Sequence, residues 1–432
     1  MSAQHRHVIA VVGGAVSGSE AAAIAAARGA LVVVIEQNER PYGKIEDGLP
    51  RWHVALREKE YARIDENLAH PDVRFVPCTR LGRDLDWAML TRDLGFSAVV
   101  LANGAWRDRP LPPAIDAWDG RGLAYQNAFV HWFNHQLDPV QHGPSFEVPD
   151  GAIVIGGGLA SIDCVKIINF LLYGRALAAR GIEVDVETME HEGLPKILAD
   201  HGLTREVLGL RGATLFYRRR AEDMPLVPAD DADPSRLAKL EQTRVKLLTK
   251  VLDKYLVSFV PLAAPVAPLV EGDRLVGVRF QRNAHLDGKL VPTDEHLDVA
   301  TQLVVSSIGS IPELIDGIPV KGELYSWKDR ETGELAGAND VYGLGNVLAG
   351  KGNIVESRKS SKKVMSRLVD DALQVPPIGA DALARIDAWI ERRWREVGYN
   401  GDYRAWIAAR SHTSKEAAEQ GLSPSAVSGP RT

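Results

Sequence analysis

Twice in this chain a short apolar run ends in consecutive glycines and passes straight into a helix-forming segment. Val8-Ile9-Ala10-Val11-Val12 is followed by Gly13-Gly14, and Ala152-Ile153-Val154-Ile155 by Gly156-Gly157-Gly158. An apolar run of strand length, without alternation, is what a strand covered on both faces of a parallel sheet requires. After the first turn, Ser19 to Arg28 is Ala-rich and predicts a helix that Gly29 ends before a second strand, Leu31–Ile35. After the second, a helix is expected from about Ser161 to Tyr173. Its next strand, Thr214–Tyr217, arrives only after a polar, partly helical insertion over 174–212. The two turns stand 143 residues apart, too far for a solenoid repeat and suited to two domains of related design.

The expected fold is therefore α/β, with two Rossmann-like, three-layer dinucleotide-binding domains. Further elements are expected as a helix over 234–255, strands at 257–260, 275–280 and 303–308, and helices at 357–373 and 380–395. Residues 414–432, rich in Ser, Ala, Gly and Pro, read as a mobile tail. Composition narrows the partners. A net charge of −6 over 432 residues argues against bulk nucleic-acid binding. Two cysteines, Cys78 and Cys164, are too few for a disulfide framework or a four-thiolate iron–sulfur centre, and suit a reducing compartment. No apolar run is long enough for a membrane span and the first hydrophobic stretch is unlike a signal peptide, so a cytoplasmic protein is expected.

The glycine turns carry chemistry. Gly13-Gly14-Ala15-Val16-Ser17-Gly18 is a dinucleotide fingerprint with alanine at its second glycine position. There a strand ends, the chain turns without side-chain obstruction, and the amides of a helix N-terminus face a diphosphate. Glu36 closes the next strand, where a carboxylate accepts from both ribose hydroxyls. The plainer reading is a close helix–strand crossing that needs small residues. In the second turn, Gly156 and Gly158 keep the fingerprint, Leu159 and Ala160 follow, and Ser161 replaces the last glycine. Its acid is missing. Arg218, Arg219 and Arg220 stand there instead, where guanidinium groups accommodate a ribose 2′-phosphate, which favours NADP(H) over NAD(H). A solvated surface cluster is the competing reading. One site with an acid and one with bases together imply a flavin and a nicotinamide.

Several separated motifs extend this. Leu101-Ala102-Asn103-Gly104-Ala105 and Lys44 to His53 lie in the first domain, Tyr217-Arg218-Arg219 with Met224-Pro225 in the second, and Val341 to Asn346 and Gly350 to Ile354 near the end. In this order they resemble the adrenodoxin reductase type of ferredoxin:NADP reductase, two-dinucleotide-binding-domain flavoproteins related to the glutamate synthase small subunit. The resemblance covers most of residues 8–370. It implies an NADP domain inserted in an FAD domain, with boundaries expected at 1–106 and 312–413 for FAD and 107–311 for NADP. It implies FAD held by Gly13, Ala15, Gly18, Glu36, Lys44, Gly104, Gly345, Gly352, Asn353 and Ile354. NADP(H) would contact Arg109, Gly156, Gly158, the Leu159-Ala160-Ser161 turn, Arg218 and Arg219, with Asp230 near the nicotinamide. The chain departs from the family where Gly345-Asn346 replaces Gly-Trp, where the following loop is one residue shorter, and where Lys351 replaces a common proline.

Hydride transfer between stacked rings needs no protein acid or base. His53 either assists proton movement or hydrogen-bonds locally to order its loop. The cysteines are too far apart for a thioredoxin reductase-like pair. Arg358, Lys359, Lys362 and Lys363 share one helical segment and form either a docking face for an acidic ferredoxin or flavodoxin or a solvated cationic face. The leading expectation is an FAD-dependent NADPH oxidoreductase serving such a carrier. The alternatives are a reductase subunit or small-molecule oxidoreductase and, from another class, a nucleotide-binding scaffold without turnover.

Overall fold

The computed structural model describes residues 6–138, 143–227, 234–350, 352–372 and 376–410. Asp230, Lys351 and the segment 414–432 fall outside the described residues. The chain divides into two compact units, one holding residues 6–49, 54–107 and 310–410, the other residues 50–53 and 108–309.

The first unit begins with β1 (Val8–Val12), α1 (Val16–Ala27) and β2 (Leu31–Ile35), then α2 (Val54–Leu68), β3 (Val73–Val76) and β4 (Ala98–Leu101). Every residue of β1 and β2 is buried. Their unbroken apolar runs answer to that burial, since both faces of the sheet are covered. Helix α1 starts at Val16, three residues before the Ala-rich run, because the turn itself supplies its first residues. Its Ala21, Ala22, Ala25 and Ala26 let it lie close on the sheet.

The inserted unit contains β5 (Leu123–Tyr125), α3 (Gln126–His135), β6 (Ile153–Gly156), α4 (Leu159–Ala178), β7 (Thr214–Phe216), α5 (Pro234–Tyr255) and β8 (Ser258–Val260). It continues through β9 (Ala263–Glu271), β10 (Arg274–Leu286), β11 (Lys289–Ala300) and β12 (Val304–Ser307). Its sheet runs β5-β12-β6-β7-β8, all parallel. One face carries the helical layer, with Ile167, Ile168 and Phe170 of α4 in its core. The other packs on the antiparallel β9–β11 meander, where Phe216 stacks on Phe280 at 4.3 Å between centroids. This three-strand layer is more extensive than the single strand expected at 275–280. Pro265, Pro268 and Pro292 weaken the strand signal, and β9 and β11 tolerate them because they are the edges of the meander.

The chain then returns to the first unit with β13 (Trp327–Asp329), β14 (Glu334–Leu335), β15 (Val341–Gly343), α6 (Ile354–Ala372), α7 (Ala380–Val397) and α8 (Tyr403–Ala408). The completed sheet is ordered β13-β14-β15-β4-β1-β2-β3. Ile9 and Val11 face α1, α2 and α6, whereas Val8 and Ala10 share a core with Ile386, Trp389 and Ile390 of α7. Among the described residues no helix is long and apolar enough to cross a membrane.

Candidate functional site

In the first unit, Gly13 donates its N–H to Ile35 O at 2.8 Å and adopts φ +96°; a Cβ there would stand 2.6 Å from Ala102 O. A Cβ on Gly18 would come within 1.7 Å of Gly13 O, so strand and helix cross at glycine-only distance. Ala15 is the N-cap of α1 without a side-chain cap bond, which leaves the first-turn amides of the helix for another acceptor.

Glu36 lies immediately beyond β2 and is 4% exposed. Its Oε2 accepts from Gly14 N at 2.8 Å and its Oε1 from Asn38 N at 2.9 Å. Burial pushes its carboxyl up to about 7, with the Asp47 charge adding to the rise, although the two backbone donors pull the other way. With one backbone donor on each oxygen, the carboxylate has capacity for further donors.

The other candidates of this unit converge on the same turn. A Cβ on Gly43 would lie 3.0 Å from Ala15 Cβ and 3.7 Å from the Trp106 ring, and one on Gly104 would lie 3.7 Å from Trp106 Nε1. Lys44 donates to Ser310 Oγ at 3.1 Å, with its ammonium 5.5 Å from the Trp106 ring centre. Gly345, at φ +62°, leaves no room for a Cβ beside Ser17 Oγ, which would be 2.2 Å away. Gly352 abuts Asn346 Oδ1 in the same way, at 2.7 Å. Asn353 Oδ1 accepts from Glu356 N at 2.9 Å, holding the start of α6 at Ile354. Among the described residues Asn346 Oδ1 is buried without a hydrogen-bond partner, beside the Gly352 bend. Sequence reading singled out neither Trp106 nor Asn346 as a site residue. Trp106 follows Gly104-Ala105 directly, and Asn346 showed only as a departure from Gly-Trp.

In the second unit, a Cβ on Gly156 would stand 2.4 Å from Ser307 O, and one on Gly157 would enter the Tyr217 ring at 2.2 Å. Around Gly158 no other described residue lies within 4 Å of that position. Gly158 caps α4, Ser161 Oγ donates back to Gly158 O at 2.6 Å, Leu159 is 58% exposed and Ala160 is half-buried. The N-terminus of α4 is thus bare backbone open to approach. Arg109 lies just beyond the end of β12, its N–H donating to Gly309 O at 2.9 Å.

Beyond β7, the three arginines part company. Arg220 pairs with Asp223 at 2.9 Å and with Glu241 at 3.4 Å. Arg218 and Arg219 are exposed, and among the described residues neither forms an ion pair. Their backbone is pinned, because Asn283 Nδ2 donates to Arg218 O at 2.9 Å and Leu262 N to Arg219 O at 3.0 Å. The meander therefore holds the backbone that carries two exposed guanidinium groups, a residue type suited to an anion.

His53 also belongs to this unit. Its Nε2 is 3.9 Å from Asp163 Oδ1 on α4, and Asp163 lies 4.0 Å from Lys166 Nζ, which bonds Glu190 at 3.1 Å. The histidine therefore faces a carboxylate, a geometry compatible with either local ordering or proton movement. Burial raises the Cys164 thiol well above its ordinary range, with Asp163 and Asp108 adding to the rise; Cys78 is half-buried, and both cysteines are free.

The cationic segment of α6 is mostly committed. Arg358 pairs with the buried Glu60, Lys362 with Glu20 at 3.8 Å and Lys363 with Glu331. Lys359 is exposed and, among the described residues, without an ion pair. By contrast Lys239, Lys246 and Lys250 lie exposed along one side of α5, and no ion pair engages them among the described residues. Their spacing of seven and four residues keeps them in one stripe.

No protein-family model matches the chain. A glutamate synthase [NADH] from Schizosaccharomyces pombe is 28% identical over 160 residues, which is 36% of this chain and 7% of that much longer protein. Among solved structures, Mycobacterium tuberculosis FprA in complex with NADPH superposes with a TM-score of 0.67 at 20% identity, covering 90% of each chain. A histidine-to-glutamine mutant of FprA gives 0.68 at 19% identity over the same shares. The chain thus has the fold of FprA over nine-tenths of its length: two Rossmann-like units, the second inserted in the first.

Proposed function

We propose that the chain is an FAD-dependent NADPH oxidoreductase that exchanges electrons with a small acidic redox protein of the ferredoxin or flavodoxin kind. One observation carries the reading: equivalent glycine turns are followed by a buried carboxylate in one unit and, in the other, by two exposed arginines that form no ion pair among the described residues. The fold shared with FprA, which has been seen with NADPH, supports it.

The residues present fit the two groups. In the first unit, the amides of α1 and the bare Gly13–Ala15 turn take a diphosphate, and Glu36 accepts from ribose hydroxyls. Asn346 Oδ1, buried and without a partner among the described residues, and the bend Gly352-Asn353-Ile354 offer polar contacts to the rest of FAD. In the second, the open Gly158 backbone at the start of α4 receives the other diphosphate, and Arg218 and Arg219 grip the 2′-phosphate that distinguishes NADPH from NADH. When bound, the cofactors supply hydride transfer from nicotinamide to flavin. The protein's work is alignment and exclusion of water, with His53, held toward Asp163, available to move a proton. For the redox partner, the exposed lysine stripe of α5, without ion pairs among the described residues, is a better acidic-protein surface than α6, three of whose four cations already have carboxylates.

The test is an absorbance spectrum of the purified chain before and after anaerobic NADPH. Flavin bands that bleach with NADPH, and much less with NADH, are expected; a colourless protein from riboflavin-replete cells would leave the scaffold reading standing instead. A second reading, a reductase subunit of a larger enzyme, is favoured by the stretch shared with glutamate synthase. Stoichiometric co-purification of a second chain would select it.

A further inference from the structure

The Glu36 carboxylate is held by a loop, and the loop is held from the far end of the chain. Residues 37–43 join β2 to the turn before Lys44. Within them Asn38 gives its N–H to Glu36, and Pro41 lies against Gly14, 2.8 Å from where a Cβ would be. Left to itself, such a loop would sample many conformations. Here it is bonded on its outer side. Trp406 Nε1 of α8 donates to Glu39 O at 2.8 Å, and Arg410 reaches Glu39 Oε2 at 3.5 Å. Tyr403 of α8 donates to Asp65 Oδ1 at 2.6 Å, and Tyr42 of the loop donates to the same carboxylate at 3.1 Å. Asp65 thus joins the first and last parts of the unit through one group. Trp406 is 5% exposed and Tyr403 7% exposed, so both bonds are shielded from water. Their rings meet edge to face with neighbours, Tyr403 on Phe75 and Trp406 on Tyr399, at 5.1 and 5.2 Å between centroids.

We propose that Trp406 and Tyr403 are positioning residues for the dinucleotide of the first unit. They clasp the 37–43 loop so that Asn38 and Pro41 hold Glu36 and Gly14 in ligand-ready geometry. The inference rests on FAD as the ligand of that unit. It gives the C-terminal helix α8 a part in cofactor binding although it lies more than 360 residues from the Glu36 site in sequence.

The experiment compares the full-length wild type with Tyr403→Phe, which keeps the ring and deletes one donor, and Trp406→Phe, which keeps an aromatic ring and deletes the indole N–H together with the five-membered ring that carries it. Apoprotein is titrated with FAD well below its melting temperature, and the same pair is made in a Glu36→Gln background. Each donor lost is expected to weaken FAD about tenfold, and the loss is expected to shrink in the Glu36→Gln background, because the clasp acts through that carboxylate. A purely structural contact would lower the melting temperature and leave the affinity alone. Wild-type flavin binding with unaltered affinity in either folded variant overturns the positioning role while the FAD reading stands. A wild-type chain that takes up no FAD overturns both.

Discussion

The two glycine turns of this chain are built alike and finished in opposite ways. Each has a buried parallel strand, a bend that forbids a Cβ, and a helix whose first amides lack a side-chain cap. They differ at the end of the next strand. In the first unit the end is sealed: Glu36 is buried, doubly bonded to backbone and flanked by Pro41. In the second it is open: Arg218 and Arg219 stand in solvent on a backbone pinned by the meander. A sealed, bonded carboxylate suits a cofactor that is bound once and kept. Exposed guanidinium groups, whose attraction reaches through water and is weakened by salt, suit a nucleotide that comes and goes.

The largest effect expected from this contrast is at Glu36. Replacing it by alanine removes acceptors for two ribose hydroxyls and the anchor of Gly14 and Asn38, so FAD affinity should fall by about 3 kcal/mol, roughly a hundredfold. Flavin content after gel filtration measures it; full retention would show that the seal has no ligand function. The seal has its own cost in the apoprotein. A carboxyl raised from 4.5 to about 7 holds its proton longer folded than unfolded. The stability this group contributes is therefore whole below pH 4.5 and is lost as pH climbs to about 7. In Glu36→Gln that loss is absent, so the variant should gain on the wild type by about 3 kcal/mol across that interval, read from urea unfolding of both apoproteins.

At the open turn the effect is smaller and specific. Arg218→Ala with Arg219→Ala should raise the KM for NADPH by about thirtyfold, some 2 kcal/mol, and leave NADH nearly unchanged. The penalty should fade at high salt, because both groups are exposed. Equal losses for the two nucleotides would mean that the arginines do not read the 2′-phosphate.

What the sequence disclosed and what it hid follow the same division. The strands β1, β2 and β6 were legible because burial on both faces demands continuous apolar runs, and the turns because only glycine tolerates their geometry. The meander was mostly hidden, since its edge strands carry proline and its exposed side carries polar residues. Pairings between distant segments were hidden for a different reason. Nothing near Arg358, Lys362 and Lys363 announces Glu60, Glu20 or Glu331, so a helix that reads as basic is mostly neutralised in the fold. Asn346 likewise is informative only in the fold, where its oxygen is buried and, among the described residues, without a partner.

The smallest effect separates a glycine kept for the fold from one kept for a ligand, within a single tripeptide. Gly157→Ala would drive a methyl into the Tyr217 ring, which is braced by its hydroxyl on Asp223 O at 3.0 Å, so the fold itself should lose stability. Gly158→Ala meets no other described residue within 4 Å and should melt within a degree or two of the wild type. Its methyl nevertheless stands on the backbone that a diphosphate must approach, so NADPH affinity should drop about tenfold, near 1.4 kcal/mol. Melting curves alongside NADPH titrations of the two variants measure both. If Gly158→Ala binds NADPH as well as the wild type, the open space at the start of α4 is not the nucleotide's, and the likeness between the two turns ends at backbone geometry.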